Sequence, residues 1–249
     1  MPDPSRGLVR LVRRRIADAG DPTKAPRMQS YMKSEMPYRG VSATPLSRLL
    51  RSTYAEHPLP DRPTWDAVVR ELWDEASYRE ERYAALALAA HPSYRPYQDP
   101  DLLPLHQHLV VSGAWWDLVD PVATRHVGGV LASYPGDTTR VLRRWLDADD
   151  LWLRRTGILS QLHRREATDL DLLRDAIEAN LEGSAYGSEF FVRKAVGWAL
   201  RQHARTDPAW VRAFVAEHGT RLSGLSRREA LKALVRTCER RERHLWSES

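Results

Sequence analysis

Trp116 and Asp120 stand four residues apart in the stretch SGAWWDLVD, residues 112–120. On a helix, positions i and i+4 share a face, so an indole and a carboxylate would point into the same space. That space is either a crowded core or a site. Two later stretches repeat the theme. Trp152 and Arg155 are three apart in DDLWLRRTGIL, and Trp198 and Arg201 are three apart in FFVRKAVGWALR. Consecutive helices of this kind would line one groove with aromatics, a carboxylate and guanidiniums. Taken singly, each pair leaves packing and a site both open, because tryptophans are mostly core residues.

The elements that must position these residues are helical. LVRLVRRRIADAG, TPLSRLLRSTYAEH, TWDAVVRELWDEA, TTRVLRRWLDAD and DLDLLRDAIEANL place apolar residues at i, i+3, i+4 and i+7. Thr44-Pro45, Asp61/Pro63-Thr64, Asp149-Asp150, Thr168-Asp169 and Thr206-Asp207-Pro208 read as helix starts. No alternating strand and no Asn-Gly hairpin is evident. Helix pairs recur loosely, near 64–74 and 76–90, 98–111 and 114–131, 137–147 and 150–165, and 168–181 and 188–205. Helices joined by short turns leave a globular bundle or a solenoid of helix pairs; the spacing is in the range of HEAT-like repeats, and the expected fold is an all-α, curved solenoid whose second helices line a concave face. The expected organisation is a single domain over 1–249, with a basic N-terminal helix over 1–20 and a flexible tail over 241–249.

Net charge is +5, and its distribution is uneven. Residues 1–40 hold 9 Lys/Arg against 4 Asp/Glu, and residues 201–249 hold 11 against 6, whereas 41–200 hold 18 against 23. Basic ends around an acidic middle suit a polyanion held along a surface. The single cysteine, Cys238, excludes an intrachain disulfide framework and a cysteine zinc cluster, and it reads as an incidental or buried thiol. His106 and His108 lie two apart, off a common helical face, so no metal is expected. His126 and His163 read as surface or packing residues. With no signal-like apolar run and no stretch near the roughly 18–20 apolar residues of a membrane span, a reduced, cytoplasmic protein is expected.

WWDLVD at 115–120, LWLRRTGIL at 151–159, FFVRKAVGWALR at 190–201 and LSRREALK at 225–232 together resemble the AlkD family of alkylpurine DNA glycosylases. YMKSEMPYRGVSATPLSRLL at 31–50 and VVRELWD at 68–74 fit in the same order. The resemblance implies a HEAT-like fold wrapping double-stranded DNA and hydrolytic excision of N3- and N7-alkylated purines. It implies that Asp120 is the catalytic carboxylate, that Trp116 and Trp198 line the lesion's sugar, and that Arg155 and Arg201 contact the DNA backbone. Arg154 stands where a neutral polar residue is expected and adds charge beside the groove. EGSAYGSEF at 182–190 is longer than the pattern and bears on one groove edge.

The implied chemistry needs these residue types. An N3- or N7-alkylated purine already carries positive charge and leaves without a general acid. As the glycosidic bond lengthens, charge moves onto the deoxyribose as an oxocarbenium-like cation. A carboxylate near C1′ stabilises that cation and positions the attacking water. Indole faces attract the same cationic character, each contact being worth about 0.5–2 kcal/mol. No lysine sits in this constellation, so a monofunctional enzyme is expected rather than a Schiff-base lyase; a monomer without a cofactor is expected as well. The family's arrangement works on the backbone with the lesion near the duplex, which extends the implied substrates to bulky adducts and the implied role to self-resistance against an alkylating natural product. Two other readings fit a helical-repeat protein: a protein-binding scaffold, and a DNA-structure binder that excises nothing.

Overall fold

The structure, a computed structural model, describes residues 4–233. Cys238 and the tail 241–249 lie outside the described residues. Among the described residues every regular element is helical, and no helix is long and apolar enough to cross a membrane. The chain divides after Gln98 into two compact units.

The first unit holds α1 (Pro4–Asp18), α2 (Ala25–Met32), α3 (Ala43–Glu56), α4 (Arg62–Asp74) and α5 (Arg79–Ala89). α1 buries Leu8, Val9, Val12 and Ile16 at helical spacing, against α3, α4 and α5. Its arginines serve the fold as well as its charge. Arg13 Nε donates to Glu81 at 2.9 Å, and Arg15 bonds Thr53 and Glu56. The PYRGVS segment is held by Glu80, fully buried, which accepts from the backbone N–H groups of Arg39, Gly40 and Val41 at 2.9–3.1 Å. Gly40 has φ +86°, and a side chain there would meet the Asp21 carbonyl. The glycine is therefore a backbone requirement of this turn.

The second unit begins with a tight turn at Pro100–Leu102 and α6 (Leu103–Gly113). A continuous helical run follows: α7 (Trp116–Pro121), a π segment (Val122–Val127) and α8 (Gly128–Ser133). Then come α9 (Pro135–Leu146), α10 (Leu151–Leu159), α11 (Leu170–Glu178), α12 (Phe190–His203) and α13 (Pro208–Glu217), with a further helical segment over 224–233. The second helices of successive pairs pack on one another, the π segment on α10 and α10 on α12, while the first helices pack α9 on α11. This is the nearest-neighbour contact pattern of a helical repeat.

Acidic N-caps set the helix starts that matter. Asp61 accepts from Thr64 N, Asp150 from Trp152 N and Leu153 N, Asp169 from Asp171 N and Leu172 N, and Asp207 from Ala209 N and Trp210 N. Thr44-Pro45 differs from the reading as a start: α3 begins at Ala43, and Ser42 makes no capping bond. α10 also ends earlier than its periodicity suggests. Gln161 exchanges two hydrogen bonds with the Asp169 backbone, pulling the chain out of the helix toward α11.

His106 on α6 and His126 in the π segment pack edge to face, ring centroids 5.7 Å apart, 1 % and 4 % exposed. Burial holds both rings neutral. It takes His126 down to about 4 from its ordinary 6.5, and His106 falls well below 6.5 with His126 adding to the effect. Below pH 6.5 the unfolded chain takes up a proton at His126 that the folded chain refuses. Stability is therefore expected to fall as pH drops from 6.5 toward 4, by about 3 kcal/mol from this ring. Urea unfolding of the native protein and of His126→Phe across that range checks it; the variant should show a shallower acid loss.

Candidate active site

Asp120 lies in the last turn of α7, where the helix is entered through an unusual corner. Ala114 adopts a left-handed conformation (φ 40°, ψ 34°), closing α6 and letting Trp115 cap α7. Pro121 follows Asp120 directly and has no N–H to give the helix ladder, and the chain continues in the wider π register. A π segment one residue beyond a carboxylate is a local irregularity of the kind found at working sites.

The partner of Asp120 is Arg155 on α10. Arg155 Nε meets Asp120 Oδ1 at 2.7 Å and Nη2 meets Oδ2 at 2.8 Å, a two-pronged pair, and Nη1 donates to the Phe191 carbonyl. The pair is nearly dry, with side chains 5 % and 14 % exposed for Arg155 and Asp120. Burial pushes the Asp120 carboxyl above its ordinary value of 3.8, the Arg155 hydrogen bonds and charge pull it back, and Asp117 adds to the rise. Each carboxylate oxygen accepts one bond from Arg155 and keeps further lone-pair capacity for a water or substrate.

An aromatic cluster reaches the pair through Phe191. Trp115, Trp152 and Phe191 have ring centroids 5.0–6.1 Å from one another, Phe190 packs edge-on to Phe191, and the Arg155 guanidinium lies 5.8 Å from the Phe191 ring centre. The Trp115 indole N–H is buried without a hydrogen-bond partner among the described residues. Trp116, one turn before Asp120, and Trp198 on α12 are half-buried, and neither indole has a ring or hydrogen-bond partner among the described residues.

The arginines stand differently from one another. Arg155, the residue the resemblance sets against the DNA backbone, turns its guanidinium onto Asp120 and the Phe191 carbonyl. Arg154 is also inward, 8 % exposed, with Nε on the Ala148 carbonyl at 2.6 Å and Nη1 on Ala179 and Asn180. Its face lies over Tyr186 from the 182–190 segment, and the Tyr186 hydroxyl donates to Asp149 at 2.8 Å. Arg201 is partly open to solvent and donates to Glu229 at 2.6 Å. Glu229 also receives Lys232 and Lys194, and these cations, Lys232 first, hold its carboxyl down at about 2. Glu229 belongs to LSRREALK, and Gly197 admits that segment closely, since a Cβ there would meet the Glu229 side chain at 2.7 Å.

Sequence reasoning thus singled out Asp120 and Arg155, which the fold brings into direct contact, and missed the cluster of Trp115, Phe191 and Phe190 and the anchoring Glu229. The doubled aromatics, Trp115-Trp116 and Phe190-Phe191, were the available signal. One member of each pair, Trp115 and Phe191, joins the cluster with Trp152.

The chain's likeness to known proteins runs through these helices. No curated protein matches it significantly. Its fold is similar to the solved structure of a predicted DNA alkylation repair enzyme from Enterococcus faecalis, with a TM-score of 0.77 at 29 % identity, covering 86 % of this chain and 96 % of that one. The profile of the DNA alkylation repair enzyme family matches residues 12–234, which takes in Asp120, Arg155 and the Glu229 anchor alike. The chain belongs to the DNA alkylation repair enzyme family.

Proposed function

We propose that this protein hydrolyses the N-glycosidic bond of cationic N3- and N7-alkylated purines in duplex DNA. The observation that carries the reading is the dry, two-pronged Asp120–Arg155 pair set among aromatic rings. In the proposed reaction the C1′–N bond breaks and its electron pair passes to the already cationic purine, which leaves neutral. Positive charge develops on the deoxyribose, Asp120 stabilises it, and water forms the new C1′–O bond while its proton goes to the carboxylate or to solvent. Trp116 and Trp198 present indole faces to the sugar and limit access of bulk water, which strengthens the field of the carboxylate.

Arg155 in this reading is a positioning residue: it fixes both oxygens of Asp120 and favours the ionised form at a buried position. Arg154 braces the loop before α10 and the 182–190 segment rather than DNA. In this reading Arg201, held by Glu229 but partly exposed, meets a phosphate, a contact that positions the duplex without reading its sequence. Since the lesion need not enter an enclosing pocket, bulky adducts fall within the proposed range.

Incubating the native protein with duplex DNA carrying 7-methylguanine tests the reading. It predicts free 7-methylguanine and an alkali-labile abasic site in an otherwise uncut strand. Tight, salt-sensitive binding without base release would favour a DNA-structure binder, and strand cleavage without alkali would overturn the monofunctional assignment.

A further inference from the structure

We infer that a second, cationic groove in the same unit binds the DNA phosphodiester backbone a few nucleotides from the reacting sugar, which rests on the reading of this protein as DNA-acting. The groove runs between the π segment and α8 on one side and the chain following α10 on the other. Thr124, Arg125, Gly128 and Gly129 line the first side, and His163 and Arg164 the second. No carboxylate is among its lining residues. Arg125 and His163 are exposed, and neither side chain makes a hydrogen bond or ion pair among the described residues. Arg164 gives Nε to the Ala167 carbonyl. The rest of its fork has no partner among the described residues and suits the two oxygens of a phosphate.

The groove lies on the same helical run as Asp120. The Thr124 hydroxyl donates to the Asp120 carbonyl at 2.8 Å, so the groove opens one turn beyond the carboxylate. Arg125 comes five residues after Asp120 on the same helical run, about 7 Å along it, and Arg164 follows Arg155 beyond the end of α10. With about 3.4 Å of duplex axis per nucleotide, the Arg125 spacing is about two nucleotides.

The paired glycines separate what the fold needs from what it does not. A Cβ at Gly128 would lie 2.7 Å from the Ser160 carbonyl, so Gly128 is required for the close crossing of the two helical runs. A Cβ at Gly129 would meet nothing within 4 Å, and the residue is exposed. Packing gives no reason for a glycine there, in a helix where it is less favourable than alanine by about 1 kcal/mol. A bare backbone on the floor of a cationic groove admits the close approach of a bulky anion.

The test measures binding of an undamaged fluorescent duplex as a function of salt for the native protein, Arg125→Ala and Gly129→Glu. Arg125→Ala should lower the slope of log affinity against log salt by about 1 and weaken binding about tenfold near 0.05 M salt. Gly129→Glu, which meets no protein atom, should weaken binding at least as much. Both variants should stay folded, with Arg125→Ala melting like the native protein and Gly129→Glu no lower, and base release at saturating DNA should match the native protein, since neither residue belongs to the Asp120–Arg155 pair. Native slopes and affinities in both variants would overturn the proposal, even if base release is robust. A reduced slope in a protein that releases no base would uphold the groove and overturn the glycosylase reading instead.

Discussion

Asp120→Asn is expected to lower single-turnover base release by about 10²–10³-fold, the range associated with removing one preorganised electrostatic group from a transition state. The expectation follows from what asparagine keeps and loses. It preserves size and one acceptor oxygen but removes the charge that balances the developing sugar cation. It also presents an NH2 group to a guanidinium that needs two acceptors, leaving Arg155 buried and half-paired. Breaking such a pair costs about 3–5 kcal/mol of stability. Melting and DNA affinity must therefore be measured beside the rate. The account expects reduced melting temperature, retained DNA affinity and a rate loss that higher enzyme concentration does not restore.

Replacing Arg155 is expected to act through the ionisation of Asp120. Burial already lifts this carboxyl above its ordinary value, and Arg155 is the group that opposes the rise. In Arg155→Ala, burial and the neighbouring Asp117 act unopposed, so the carboxyl rises further. At any pH near or below that value, less of it is the active carboxylate. The acid limb of the pH–rate profile should therefore move to higher pH, and part of the lost activity should return as pH is raised. Arg155→Lys should fall between the two, because an ammonium restores charge but not the two-pronged grip. Near neutral pH the alanine variant is expected to lose about 10–100-fold in rate, in keeping with a group that acts through another. Its stability deficit should also shrink on acidification, as Asp120 takes up a proton instead of remaining an unpaired buried anion. A profile parallel to the native one, lower at every pH, would mean that Arg155 only holds the helices together.

Much of this site could be read from the chain because its determinants are local. Trp116 and Asp120 share a face by helical geometry alone, and Asp150, Asp169 and Asp207 mark helix starts through bonds to residues two or three along. The orientation of the adjacent arginines could not be read the same way. Consecutive helical side chains diverge by about 100°, and which inward direction meets a carboxylate depends on how α10 lies against α7 and α12. Arg154 and Arg155 both turned inward, toward different partners, where the sequence suggested two charges facing a groove.

Pro121 was visible, but its consequence was not: a proline inside a helix leaves open a kink, a break or a π segment, and packing against α6 and α10 accompanies the last. Glu229 and Glu80 show the same limit. Each is a single acidic letter in a motif, and each gains its role from groups that come together only on folding: three backbone N–H groups for Glu80, and Lys194, Arg201 and Lys232 for Glu229.

The most direct measurement is single-turnover release of 7-methylguanine from duplex DNA by the native protein and by Asp120→Asn, with binding to the same duplex recorded for both. The account predicts rapid release by the native protein and a collapse in the variant at undiminished DNA affinity. Equal release by the two proteins would contradict it, because the carboxylate held by Arg155 would then have no part in breaking the glycosidic bond.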